Sequence, residues 1–595
     1  MFIDKGLNKI LGVLINDIKN KRVYMLFGTG ISVGSGNLVA NDIKRSILFS
    51  LKYDGNKLFE DDIVNVLMKR TKQFEDFLNR IHDDNTLPQD KKLSTFQKLF
   101  KILYKGEGPN FNHCIIAQLI KGEYIKRVYT TNFDCHIEEA YKSFTSEILE
   151  TCILGDSKEF NESAHYIKLH GCISNPKEMG TLLTNVASEE NLKRIKPYIE
   201  ELLIGNEDET ALFMGYSFSD VYDIVKIIEE ISESRKNEHL KNIFIIAHTE
   251  DNYEIYSNCM SFTYKIQTFF THRVKNIEEY NDSLKDSTPT RKINFNNFDV
   301  TILKYNTSEF IRSLGYKFSL NCENKHFETI NSKKEIVEWV NNLDDYYKLL
   351  ISWRFNYEAG QEYLLHTNPD KIKNIMFKAL NKALEICDII LNFLDKLKRE
   401  SSTELKEDTI NYLIILNKKH KALTLLSMGK FSKAKSLLIN LQLECEVILD
   451  ERLIWLKLDI NASILYLEYY KILTNNYSKN ELKEFIKSNE KYYLSLNAED
   501  STWKNNVVNY KNQYLIGTLK NYANLSEEDD KTYFKRSINF YEKKGRVEYL
   551  AFVYMEYAKF LKDKNYKQSY EFNKKAEKLF ENLGYVEYSK FCKID

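Results

Sequence analysis

Arg22-Val23-Tyr24-Met25-Leu26-Phe27-Gly28-Thr29-Gly30-Ile31-Ser32-Val33-Gly34-Ser35-Gly36 decides the fold. An apolar strand over 22–27 runs into a glycine-rich turn, and a helix is expected from about Val39, so the chain opens with a strand-turn-helix unit. Glycines here let the backbone turn tightly and bring N–H groups and the positive end of a helix against a pyrophosphate. Such turns also arise for purely steric reasons, and both readings stand at this point. The spacing is G-x-G-x-x-x-G, not the G-x-G-x-x-G of dehydrogenases, which argues against hydride chemistry.

Upstream, Ile3, Leu7, Ile10, Leu11, Leu14, Ile15 and Ile18 recur at helical spacing with charged residues between them, which predicts an amphipathic helix packed on a core and no signal peptide. Downstream, short apolar strands alternate with helical patterns as far as about 316. The expected strands are Arg22–Phe27, Arg127–Thr131, Tyr166–Leu169, Ala211–Gly215, Asn242–Ala247 and Asp299–Leu303. This alternation predicts an α/β domain over 1–320 with a Rossmann-like parallel sheet, whose ligands bind outside the carboxyl ends of the strands. Residues 40–105 interrupt it with helical patterns such as Asp61–Met68 and Phe74–Ile81, an insertion that could serve as a lid. A polar stretch over Asn276–Asn297 reads as a surface loop before the last strand.

Beyond a polar linker near Asn321–Lys334 the strand signals vanish, and 335–595 reads as an all-α domain. Ala422, Gly429, Phe431 and Ala434 have the spacing by which tetratricopeptide helices approach and turn, and Ala558, Tyr566 and Ala576 echo it loosely. The helical-repeat reading has an irregular bundle as its alternative.

Lys plus Arg and Asp plus Glu both total 85, so no global field favours nucleic acid. The nine cysteines form no C-x-x-C pair, which points away from a zinc ribbon or a disulfide framework and toward a reducing cytoplasm; no metal is expected. No run approaches the roughly 20 apolar residues of a membrane span.

Three further motifs fall at expected strand ends: Tyr129-Thr130-Thr131-Asn132-Phe133-Asp134, Lys168-Leu169-His170-Gly171, and Gly215-Tyr216-Ser217-Phe218-Ser219-Asp220. With the Gly28 turn, and with Phe74-Glu75-Asp76-Phe77-Leu78 and Asn110-Phe111-Asn112-His113 as further landmarks, the order resembles the sirtuin-like family over about 15–316. The likeness is to its divergent bacterial branch of NAD hydrolases used in anti-phage defence. The resemblance implies that Gly28, Thr29, Gly30 and Ser32 line the phosphates of NAD. It places Thr131, Asn132 and Asp134 by the ribose or a water, makes His170 the base, and puts Gly215 and Ser217 at the adenosine half. Asn132 and Asp134 equally suit the cap of the helix that follows. His113, Cys135 and Cys172, close to these motifs, read as packing or lining residues.

Two departures bear on the reaction. Gly36 is followed by Asn37-Leu38-Val39-Ala40, where sirtuins carry a Pro-Asp-Phe-Arg segment, and the paired cysteines of the sirtuin zinc module are absent, which weakens protein deacylation. The resemblance therefore implies hydrolysis of NAD+ to nicotinamide and ADP-ribose, or a cyclic product, by an abortive-infection effector. Its helical domain would bind a phage or system protein or mediate homo-oligomer assembly. The rivals are a deacylase or ADP-ribosyltransferase, and a silent nucleotide-binding scaffold.

Overall fold

The computed structural model describes residues 5–32, 35, 40–71, 74–82, 98–103, 108–154, 164–174, 182–206, 208–218, 220–234, 241–247, 253–256, 291–294, 300–304, 306–320, 332–366, 371–399, 407–447, 451–498 and 507–592. The expected surface loop over 276–297 lies largely outside these, as do Asn37-Leu38-Val39. The strands are β1 Val23–Phe27, β2 Lys52–Tyr53, β3 Asn56–Lys57, β4 Arg127–Thr130, β5 Thr151–Ile153, β6 Tyr166–Lys168, β7 Thr210–Met214, β8 Asn242–Ala247, β9 Tyr253–Tyr256, β10 Arg291–Asn294 and β11 Val300–Lys304. Contacts divide the chain into two compact units, one of residues 1–43, 89–181 and 190–336, the other of 44–88, 182–189 and 337–595.

The first unit is built on a seven-stranded sheet in the order β11-β8-β7-β1-β4-β6-β5, parallel throughout. All six strands expected from the sequence are in it. β5 was not expected, because three residues at a sheet edge leave almost no periodic signal. β1 and β7 are buried at every position, as strands covered on both faces must be. Alternate side chains divide between two cores. Tyr24 and Leu26 of β1 join Ile195, Ile199, Ile227 and Ile231 of the helices Glu189–Leu203 and Ile224–Ser234. Val23, Met25 and Phe27 meet Leu14 and Ile18 of the N-terminal helix Lys5–Lys19, with Ile115 and Leu119 of the helix Phe111–Lys121. The amphipathic N-terminal segment is thus a layer of the α/β fold.

The second unit is helical apart from the short hairpin β2–β3, whose Asp54 and Gly55 both take positive φ as a tight two-residue turn demands. The Asp-Gly pair signals that hairpin within a stretch otherwise read as helical. Its longest helix, Lys371–Arg399, packs beside Asp345–Gly360 and Glu407–Ser427, and neighbours in sequence continue to pair up to Tyr566–Leu583. Gly429 turns at φ 77° between Glu407–Ser427 and Phe431–Val447, with Ala422 and Ala434 fully buried. In the looser echo Ala558 and Ala576 are buried as well, but Tyr566 is 61% exposed.

Part of the insertion belongs to this helical unit. Arg70, at the end of Asp61–Arg70, pairs with Glu362 at 2.7 Å, and Arg80 of Phe74–His82 bridges Asp76 at 3.0 Å and Glu358 at 2.5 Å, every partner buried. Phe77 stacks on Phe355 at 4.8 Å, and the Tyr347 hydroxyl donates to the Ile81 carbonyl at 2.8 Å. The landmark Phe74-Glu75-Asp76-Phe77-Leu78 therefore lies in the helical unit, where Asp76 and Phe77 serve packing.

Candidate functional site

The strands β7, β1, β4 and β6 are consecutive neighbours, so their carboxyl ends bring the four motifs side by side at one edge of the sheet. β1 leads into a short 3-10 turn over Thr29–Ser32, and the Gly30 N–H donates to the Gly215 carbonyl at 2.9 Å. A Cβ on Gly30 would stand 2.6 Å from the Gly215 Cα, and one on Gly215, whose φ is 56°, 2.7 Å from the Ile31 nitrogen. The two turns thus lie backbone against backbone, and this contact requires both glycines whatever binds beside them. Thr29 and Ser217 are exposed beside it. Asn110 and Asn112 each donate a side-chain N–H to the Ile31 carbonyl at 2.9 Å and pin the turn from the other side.

Ser32 is the hub of a buried polar network. The Asn110 backbone N–H donates to His113 Nδ1 at 3.0 Å, so the ring proton sits on Nε2 and is donated to Ser32 Oγ at 3.0 Å. Burial pushes the His113 imidazole down to about 3, in keeping with a neutral ring. Ser32 donates to Asp134 Oδ2 at 3.0 Å and accepts from Asn132 Nδ2 at 3.2 Å. Burial alone would raise the Asp134 carboxyl, but His136 and Lys168 outweigh it and hold it below its ordinary value. Its Oδ1 accepts from the His136 N–H at 3.2 Å at the start of the helix His136–Thr145. Both carboxylate oxygens are thus engaged within the protein, and Asp134 acts by holding Ser32 and Asn132 in place. Asn132 is 2% exposed, its Nδ2 is committed to Ser32, and its Oδ1 is buried with no hydrogen-bond partner among the described residues. A buried acceptor left open in this way is a standing cost that a bound donor removes. Thr131 donates its backbone N–H to the Phe27 carbonyl at 3.3 Å, tying β4's exit to β1's.

His170 follows β6. The Leu169 N–H donates to the Thr130 carbonyl at 2.8 Å and the Ile173 N–H to the Phe133 carbonyl at 2.9 Å, so the His170 segment runs alongside Asn132-Phe133-Asp134. The rings of Phe133 and His170 are 6.2 Å apart, and Gly171 takes φ 92°, a turn that glycine alone enters without strain. His170 Nε2 is 2.8 Å from Oδ2 of Asp223, which is completely buried and accepts the Ile224 N–H at 2.7 Å on its other oxygen. A carboxylate fixed in this way keeps the proton on Nε2 and leaves Nδ1 as the basic nitrogen. Asp223, three residues past the Gly215–Asp220 motif, is the member the sequence reading missed, and His113, expected only to pack or line the site, is the partner of Ser32. Asp223 carried one local signal, an acid immediately before an apolar helix.

Cys135 and Cys172, 37 residues apart in sequence, place their sulfurs 3.3 Å from each other. Lys168, wholly buried, donates to the Asp134 carbonyl and to Glu138 at 3.0 Å. The hydrogen bond between the two sulfurs, helped by Lys168, lowers the Cys172 thiol; the same bond, together with burial, raises that of Cys135. Cys135, Glu138 and Cys172 hold ligand atoms within 4.8 Å of one another, a cluster of metal-binding type. The Lys168 ammonium holds Glu138 Oε1, while Glu138 Oε2 is buried with no hydrogen-bond partner among the described residues.

The family model described as SIR2-like domain matches residues 126–264, the stretch that carries Asn132, His170, Gly215 and Asp223. That match supports a sirtuin-like assignment of the α/β unit and fits NAD-related activity. No curated protein matches the chain. Among the described residues no helix is long and apolar enough to cross a membrane.

Proposed function

We propose that the α/β unit hydrolyses NAD+ to nicotinamide and ADP-ribose. The observation that supports this best is the meeting, at adjacent strand ends, of a buried uncharged acceptor without a partner, Asn132 Oδ1, and a carboxylate-oriented base, His170. Nicotinamide leaves NAD+ as a neutral heterocycle, so the protein's tasks are to position the ribose and to steer a nucleophile onto a cationic carbon. Asn132 accepts a hydrogen bond from a ribose hydroxyl or from the attacking water without adding charge. The water forms its bond to the ribose C1′ as the C1′–N bond to nicotinamide breaks. Its proton passes to His170 Nδ1 and then to solvent, giving ADP-ribose, nicotinamide and one proton. Such base catalysis is worth about 10²–10⁴-fold.

Uncontrolled hydrolysis would exhaust the NAD+ of any host cell, which favours a resting state released by a trigger. The resemblance to anti-phage NAD hydrolases assigns that control, in an abortive-infection response, to the helical unit, through a protein ligand or through self-assembly. Incubation of the full chain with NAD+ in ¹⁸O-labelled water tests the reaction by mass spectrometry. Free ADP-ribose carrying one labelled oxygen is the expected product; loss of NAD+ with ADP-ribose found only on protein would replace hydrolysis by transfer.

A further inference from the structure

The helical unit contains a half-open cavity of about 580 Å³, within the range of small-molecule sites. Its walls are aromatic and cationic at once. Trp353 stacks on His420 with ring centroids 3.8 Å apart and planes 14° from parallel, and Trp455 and Tyr549 contribute further ring surface. Arg354, Lys419, Lys511 and Arg546 line it against the carboxylates of Glu358, Asp459 and Glu548. Glu358 interacts with Arg354 as well as with Arg80 at 2.5 Å, Asp459 is taken by Lys419, and Glu548 lies 3.9 Å from Arg546. Four lining cations against three carboxylates leave one positive charge in excess, that of Lys511. Lys511 lies 5.8 Å and 5.9 Å from the Tyr466 and Tyr549 ring centroids, where burial lowers its affinity for a proton, the mark of an ammonium short of compensating charge.

His420 is 8% exposed, lines the same cavity, and its Nδ1 has no hydrogen-bond partner among the described residues. Burial, with Lys419 and Arg354 nearby, keeps its ring neutral. A buried polar nitrogen, an ammonium in excess and a set of ring faces are more than helix packing needs, and together they match a ligand with a flat ring and an anionic group. We infer that this cavity is a binding site for a mononucleotide-sized anion, its base on the aromatic wall, its phosphate toward Lys511, and a polar atom of the ligand on His420 Nδ1. The site lies in the helical unit, and the inference is independent of the reaction proposed for the α/β unit.

All four tryptophans, Trp339, Trp353, Trp455 and Trp503, belong to the helical unit, so tryptophan emission of the full chain reports on that unit. Titration with AMP, ADP and ADP-ribose, with adenosine and pyrophosphate as fragments, is expected to give saturable quenching by at least one nucleotide. Lys511→Met is expected to weaken it at least tenfold, and His170→Ala to leave it intact. His420→Phe keeps the stack on Trp353 and removes the unpaired nitrogen; it is expected to unfold no earlier than the parent, yet to bind the nucleotide several-fold more weakly. The inference is overturned if no nucleotide quenches at millimolar concentration or if adenosine binds as tightly as AMP. It is equally overturned if pyrophosphate binds as tightly as AMP, or if His420→Phe and Lys511→Met bind like the parent.

Discussion

Both units bury polar clusters, but they complete them differently. In the helical unit Arg70 pairs with Glu362 and Arg80 is shared by Asp76 and Glu358, and the second oxygen of Glu362 accepts the N–H groups of Glu587 and Tyr588 at 2.9 and 3.0 Å. In the α/β unit the Ser32–His113–Asp134 cluster closes on itself but leaves the Asn132 acceptor open, while Asp223 orients His170. A closed network holds segments together; one with an open valence is prepared for something not yet there.

The comparison can be broken first at Arg80. Arg80→Ala strands two buried carboxylates and is expected to cost about 3–5 kcal/mol, read as urea unfolding followed by tryptophan emission. A cost under about 1 kcal/mol would mean that the network is dispensable. On the open side, Asp223→Asn is expected to lower kcat by roughly 10²-fold with little change in KM, because His170 loses the group that fixes its tautomer. Asp223→Glu should recover part of it, and a pH profile unchanged in Asp223→Asn would contradict the dyad. A smaller effect is expected from Gly30→Ala, whose Cβ meets the Gly215 backbone at 2.6 Å and forces the turns apart at about 1–3 kcal/mol. Hydrogen exchange at Gly30 and Gly215, faster in the variant, would report it.

The last prediction concerns pH. His113 stays neutral in the fold down to about 3 but takes up a proton near 6.5 once unfolded. The unfolded chain then binds more protons in that window, so stability is complete above about 6.5 and falls as pH drops, by up to about 1.4 kcal/mol per pH unit. His113→Gln should remove this component, and parallel stability curves for parent and variant would contradict it.

What the sequence made legible was local. Apolar runs marked six of the seven sheet strands, and four of them run into the glycine, asparagine and histidine motifs, since buried parallel strands and their exits leave compact signals. Three-residue β5 and the dyad partner Asp223 have almost none. The joining of Arg70 to Glu362 across 292 residues, or of Cys135 to Cys172, is a product of packing and has no counterpart in spacing. The same limit hid the role of His113, which looks like a helix-start residue, and is one, in a capping box with Asn110, while its far nitrogen holds Ser32.

The central claim is that Asn132 and His170 form the working part of the α/β unit. Nicotinamide release from NAD+, followed in time for the parent chain, Asn132→Ala and His170→Ala, tests it most directly. Release by the parent with a loss of about 10²-fold or more in each variant is the expected result. Release undiminished in both variants would contradict the assignment.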